Sequence, residues 1–334
     1  MTYDALLIVS FGGPEGMDEV LPFLENVLRG RSVPPERMRQ VAEHYELFGG
    51  VSPINEQNRQ LIAALKSHLR SLGPELPIYW GNRNWHPLLA DTVRQMRDAG
   101  IRRALAFVTS AYSSYSSCRQ YRENIAAAQK AAGEDAPRID KIRPFYNHPL
   151  FIQANVASVG AALAQIPASR RSTAELIFTA HSIPVTMAAN CDYETQLQET
   201  SRLIAEDLKH ERYRLVYQSR SGSPAQPWLG PDVFDQLREL KQRGATDTVI
   251  APIGFVSDHM EIIYDLDTKA RQLCEELGLN IVRAATAGTH PLFVEMIRQL
   301  IIERVELRPV GEFAGNLGAR PHVCPEDCCP AAQI

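Results

Sequence analysis

Three carboxylates are spaced as if to work together. Asp258, Glu261 and Asp265 fall at i, i+3 and i+7, so a helix would carry them on one face. They follow an apolar run at residues 248–253, and a row of acids at such a strand-to-helix junction can hold a hard cation or accept protons. The same spacing also suits a plain helix start. Asp258 with Glu261 has the form of a capping box, and acids in a first turn favour the helix dipole. The buried stripe of this helix is expected on another face, along Ile263, Leu266, Ala270, Leu273 and Leu277. His181 lies at the carboxyl end of a second strand-like run. Imidazole is a neutral metal ligand and a proton acceptor near physiological pH, although a single histidine there also reads as a hydrogen-bonded loop residue.

The six cysteines are unevenly placed. Cys118, Cys191 and Cys274 are scattered, whereas Cys324, Cys328 and Cys329 crowd into the last eleven residues. For a cytosolic chain, metal or cluster binding accounts for that crowding better than a disulfide framework does. Residues 109–121 hold Cys118 among small hydroxylated residues and three tyrosines, a set rich in hydrogen-bond donors that also suits a helix start. Tyr45 and Phe48 flank Gly49-Gly50 and can line a flat apolar pocket, with Ser52-Pro53 as a helix start in which Ser52 is either a cap or a ligand contact. The loop 218–231, with Arg220 and Trp228, suits a wall or lid over a pocket. The turn at residues 10–16 has Gly12, Gly13 and Pro14 but lacks G-x-G-x-x-G, so it is weak evidence for a dinucleotide site.

The elements that must position these groups alternate. Strand-like runs at residues 5–10, 78–80, 104–108, 175–179, 215–218, 248–253 and 280–283 are separated by helix-periodic stretches, among them 55–72, 87–99, 192–209, 231–242 and 291–305. That alternation predicts α/β architecture, with parallel sheets covered by helices on both faces. Ligands of such folds sit beyond the carboxyl ends of the strands, where His181 and the acidic stretch both fall. Residues 161–172 are the expected link between two halves.

The composition bounds the partners. The chain has 334 residues, 45% hydrophobic and 22% charged, which suits two α/β domains. A net charge of −4 and the lack of a long basic run exclude a general nucleic-acid binder. The chain runs from Met1 almost directly into its first strand, so no secretory leader is expected, and no apolar stretch is long enough to span a bilayer. A cytoplasmic location is the expectation.

Taken in order, residues 7–14, 48–53, 81–85, 179–184, 218–220 with 228–231, and 254–261 resemble the motifs of ferrochelatases, enzymes that insert iron into a porphyrin. The resemblance covers nearly the whole chain. It implies two Rossmann-like, chelatase-type domains with four-stranded parallel sheets and a porphyrin cleft between them. The expected division is 1–160 and 161–289, with residues of about 290–334 packing back on the first domain. It assigns His181 and Glu261 as the catalytic pair facing each other across the cleft, with Fe2+ as substrate there and Asp265 extending a proton relay that Lys269 interrupts. Phe11, Tyr45, Ser52, Tyr115 and Trp228 are implied as porphyrin contacts. Arg29, Arg31 and residues 110–117 are further donors to its propionates.

Two positions depart from the pattern of some relatives. Phe11 stands where those carry a metal-approaching tyrosine, and His44 stands where coproporphyrin users often place an arginine. The likeness to actinobacterial-type members makes coproporphyrin III the expected substrate and coprohaem the product. Protoporphyrin IX, a non-catalytic porphyrin or haem carrier, and a cobalt or nickel chelatase for another tetrapyrrole are the alternatives. Haem-pathway enzymes are the implied partners. The resemblance further implies a [2Fe–2S] cluster on Cys118, Cys324, Cys328 and Cys329, against a zinc site using His322 with three cysteines or a reactive tail. Cys191 and Cys274 are read as structural.

Overall fold

The computed structural model describes residues 3–30, 35–221 and 226–331, so Arg31 and part of the 218–231 loop lie outside it. Two four-stranded parallel sheets organise the chain. The first contains β1 (Ala5–Ser10), β2 (Ile78–Asn82), β3 (Arg103–Val108) and β4 (Arg138–Lys141) in the order β2-β1-β3-β4. The second contains β5 (Glu175–His181), β6 (Tyr213–Gln218), β7 (Asp247–Ala251) and β8 (Asn280–Arg283) in the order β6-β5-β7-β8. Central strands read as unbroken apolar runs because helices cover both faces: every residue of β1 and of β7 is buried. β4 was not expected. Its four residues, Arg-Ile-Asp-Lys, form a charged edge strand with no apolar run to betray it.

The helix Pro149–Ala164 runs unbroken through residue 160, where a boundary was expected, and the short helix Ala168–Arg171 then leads into β5. Hydrogen bonds at the segment after β3 join the two halves. Tyr112 donates its hydroxyl to the Ile253 carbonyl at 3.0 Å, and Gln196 exchanges two bonds with Ser113 at 2.8 and 3.0 Å. The C-terminal helix Pro291–Val305 lies against the helices Ile54–Leu72 and Pro149–Ala164. There Glu303 meets Arg143 in a buried two-pronged ion pair, both contacts at 2.9 Å.

Between β1 and β2 the helices Met17–Val27 and Pro35–Glu46 form a flap. Its apolar side, Val20, Phe23, Leu24 and Tyr45, packs with Trp85 and, from the other half, Met260. His44 of the flap stacks on Tyr264 with ring centroids 3.8 Å apart. Among the described residues, no helix is long and apolar enough to cross a membrane.

Candidate active site

His181 ends β5, in register with Gln218 at the end of β6. Its Nδ1 lies 2.5 Å from the Ser182 carbonyl oxygen. A carbonyl only accepts, so Nδ1 carries a proton and Nε2 is the nitrogen left for a metal or a proton. Nε2 faces Glu261 Oε1 at 3.5 Å, and both side chains stay partly exposed, 30% and 46%, toward the cleft. Burial would lower the His181 pKa, but the Glu261 carboxylate outweighs it and holds the imidazole above its ordinary value. Burial would raise Glu261, yet the charge and hydrogen bond of His181, with His259, hold it down at about 2. Each member of the pair therefore favours the charged form of the other.

The acidic stretch is not one regular helix. A short turn, Met260–Ile262, passes into a π-helical segment, Ile263–Ala270, and then into the α-helix Arg271–Leu277. The wider π turn shifts the phase. Ile262, Leu266, Ala270 and Cys274 are the fully buried stripe, whereas Ile263, expected in that stripe, packs under the flap. Residues four apart stay in line, so Asp265 follows Glu261 and Lys269 follows Asp265.

Asp258 is not the cap that its spacing suggested. His259 caps the turn, its Nδ1 accepting the Glu261 N–H at 3.2 Å, while both Asp258 oxygens take the Arg283 guanidinium at 3.1 Å. Asp265 accepts the Ser219 hydroxyl at 2.6 Å. Burial is the main reason its carboxyl is pushed up to about 6; the Glu261 charge adds to this, and Ser219 and Lys269 oppose it.

The expected porphyrin contacts fall into two groups. Phe11, after β1, is 36% exposed, edge-on to Phe23, with the Arg83 guanidinium 5.5 Å from its ring centroid. Trp228 bridges to Pro184 beside the His181 loop and stays half-buried. Tyr45 and Ser52 are instead buried, at 8% and 4% exposure. Tyr45 is packed by Phe23 and Met260, and burial followed by the Glu261 charge pushes its phenol up. Ser52 packs against Gly13, where a Cβ would come within 2.7 Å, and it caps nothing: Pro53 precedes the helix without a side-chain cap. The Tyr115 hydroxyl is taken by Glu123 at 3.0 Å. A depression of about 530 Å³ along Thr195–Arg202 and β6 shares none of these side chains.

The tail cysteines come back to Cys118. Arg119 donates to the carbonyls of Glu326 and Cys328 at 2.9 and 3.2 Å, and Arg122 to that of Pro325 at 3.1 Å. Cys328 and Cys329 have sulfurs 3.5 Å apart, and Arg320 points at the Cys328 sulfur from 3.8 Å. Burial pushes the Cys324 and Cys329 thiols up, and repulsion from Cys118 and Cys328 adds to both shifts. His322, the alternative zinc ligand, is turned away toward the Arg308 carbonyl and Glu303. Among the described residues, no group of three or more His, Cys, Asp or Glu has the arrangement of a single-ion site.

Two four-stranded parallel sheets, with an imidazole at the end of β5 facing a carboxylate from the segment after β7, give an α/β fold of the chelatase type. The solved sirohydrochlorin chelatase SirB from Bacillus subtilis, in complex with cobalt, shares this fold with a TM-score of 0.55 at 12% identity, over 92% of this chain and 96% of that one. CbiX, a terminal enzyme of sirohaem biosynthesis in denitrifying bacteria, gives 0.52 at 15%, over 89% and 97%. A model of the ferrochelatase family matches residues 3–305. A ferrochelatase of Rhodopirellula baltica is 57% identical over 98% of this chain and 93% of its own length. The coproporphyrin III ferrochelatase of Streptomyces coelicolor is 49% identical over 98% and 94%. The chain belongs to the ferrochelatase family: it is an enzyme of haem biosynthesis that inserts Fe2+ into a porphyrin.

Proposed function

We propose that the substrate is coproporphyrin III, the product coprohaem, and that His181 and Glu261 carry the metalation. The observation behind the catalytic assignment is the 3.5 Å contact between His181 Nε2, at the end of β5, and Glu261, in the turn just before the π segment. The substrate assignment draws on relatives of 46–50% identity named coproporphyrin III ferrochelatases.

A free-base porphyrin releases two N–H protons for each Fe2+ that enters, so charge balances only if two protons leave the ring. The imidazole and carboxylate are the acceptors, one hydrogen-bond length apart. Asp265, with its carboxyl near 6, takes the next position outward from Glu261, toward the exposed Lys269. Phe11 has no ligand atom and covers the ring by packing alone.

The test is direct. Purified protein is given Fe2+ with coproporphyrin III or protoporphyrin IX. Preferred turnover of the first is expected, and preference for protoporphyrin would overturn the substrate assignment. His181→Ala and Glu261→Gln should each lower turnover by roughly a hundredfold or more while the fold is retained. Full turnover in either variant removes that residue from the mechanism.

A [2Fe–2S] cluster on Cys118, Cys324, Cys328 and Cys329 is the reading for the tail; what supports it is that Arg119 and Arg122, next to Cys118, hold the tail backbone at 325–328, and that Cys328 and Cys329 have adjacent sulfurs. Such a cluster, when bound, supplies a one-electron centre and a cross-link between the tail and residue 118. The six free thiols suit the cytoplasm. The two halves are read as dividing just after the helix Pro149–Ala164.

A further inference from the structure

Glu261 lies in the short turn Met260–Ile262 and Asp265 in the π segment that follows, so the two carboxylates stand on either side of a change in helix type. Something outside the segment has to hold the two carboxylates in line. The end of β6 does this with two consecutive residues. Gln218 is fully buried and donates its amide to the Glu261 carbonyl at 3.2 Å. Ser219 donates its hydroxyl to Asp265 Oδ2 at 2.6 Å. The Gln218 carbonyl also accepts the Ser182 N–H at 2.8 Å, so one strand end fastens the His181 loop and the acidic segment together.

The backbone at this point is unusual. Ser219 has φ +60°, a left-handed conformation that side chains other than glycine and asparagine seldom adopt. Glycine would relieve that conformation but supply no hydroxyl. Residue 219 is nevertheless serine, and its hydroxyl is spent on one carboxylate. An alternative role as a turn-former would need no contact with Asp265.

We propose that Ser219 is a positioning residue for metalation: its left-handed backbone aims the hydroxyl at Asp265 and fixes that carboxylate as the second proton acceptor behind Glu261. Ser219 touches neither iron nor porphyrin and acts through Asp265. The inference rests on the catalytic reading of His181 and Glu261.

The experiment compares Ser219→Gly, Ser219→Ala and Ser219→Asn in steady-state metalation with Fe2+ and coproporphyrin III. Glycine suits φ +60°, so the Gly variant should fold with a thermal midpoint no lower than the parent. Its kcat should nonetheless fall roughly tenfold, the worth of a hydrogen bond to a charged group, with KM for porphyrin unchanged. The Ala variant should lose as much kcat. Asn tolerates the left-handed region and carries an N–H donor, so it should recover part of the loss. A Gly variant with full kcat overturns the proposal, as does a loss confined to KM or an Asn variant no better than Ala. The His181→Ala and Glu261→Gln variants run alongside. Full turnover in those would mean that the catalytic reading itself has failed, whereas losses there with an unaffected Gly variant would reject Ser219 alone.

Discussion

Asp265→Asn should make the enzyme slower and more stable, and the stability gain should depend on pH. Burial and the Glu261 charge raise the Asp265 carboxyl from 3.8 to about 6 in the folded chain. An acid whose folded pKa is raised favours the fold while protonated, so the folded chain loses stability as pH climbs from below 4 to above 6. With Asp265 only 9% exposed, that difference corresponds to about 3 kcal/mol once both states are ionised. Asparagine keeps an oxygen for the Ser219 hydroxyl and has no charge to bury. The variant should gain up to about 3 kcal/mol at pH 8, shrinking to about 1 kcal/mol at pH 4.5, where folded wild type is already protonated. Urea unfolding of both proteins at the two pH values measures this, and metalation at pH 8 measures the loss of turnover. A gain equal at both pH values, or a destabilised variant at pH 8, would refute the reasoning. So would a variant that metalates at the full rate.

Other outcomes follow from the same geometry. Metalation should fail on the acid side at a pH above the ordinary histidine value, because His181 is raised and must shed its proton to accept one; Glu261→Gln, lacking the carboxylate, should move that limb downward in a pH–rate profile or an imidazole NMR titration. Glu303→Ala leaves the Arg143 guanidinium buried without a partner and should cost about 3–5 kcal/mol in urea unfolding, whereas Arg143→Met with Glu303→Leu should recover most of it. Protein from anaerobic, iron-replete growth should show visible sulfur-to-iron absorption that Cys118→Ser removes; a colourless parent would reject the cluster.

Much of the framework could be read from the chain because central parallel strands are continuous apolar runs. β1 and β7, buried on both faces, are of that kind; spacing alone left His181 and Glu261 open as a loop residue and a helix start, and only the resemblance of their motifs paired them. What was missed has a physical pattern. β4 is short, charged and at an edge. The π segment differs from an α-helix by one residue per turn, which apolar spacing over eight residues does not resolve, so Ile263 was placed in a stripe that belongs to Ile262. Asp258 has cap spacing, but its partner Arg283 is 25 residues away, and His259 takes the capping role with a ring nitrogen. Tyr45 and Ser52 were expected as ligand contacts because aromatic and hydroxyl groups beside glycines suit a ligand; Tyr45 is buried within the flap cluster and Ser52 against the Gly13 turn.

The two sheets share one strand order, each with its first strand second in line. The turn after β1 and the turn after β5 are thus topological counterparts, and they have diverged in opposite chemical directions: Ser10-Phe11 on one side, His181-Ser182 on the other. On the proposed catalytic reading, a planar guest held between them meets an inert lid and a reactive floor. Its two faces, equivalent in solution, become distinguishable once it is bound, so a ring entering upside down is not a wrong substrate but the same substrate with its other face to the floor. Orientation then has to be read from the periphery of the guest, by whatever grips its substituents, because its centre carries no such information.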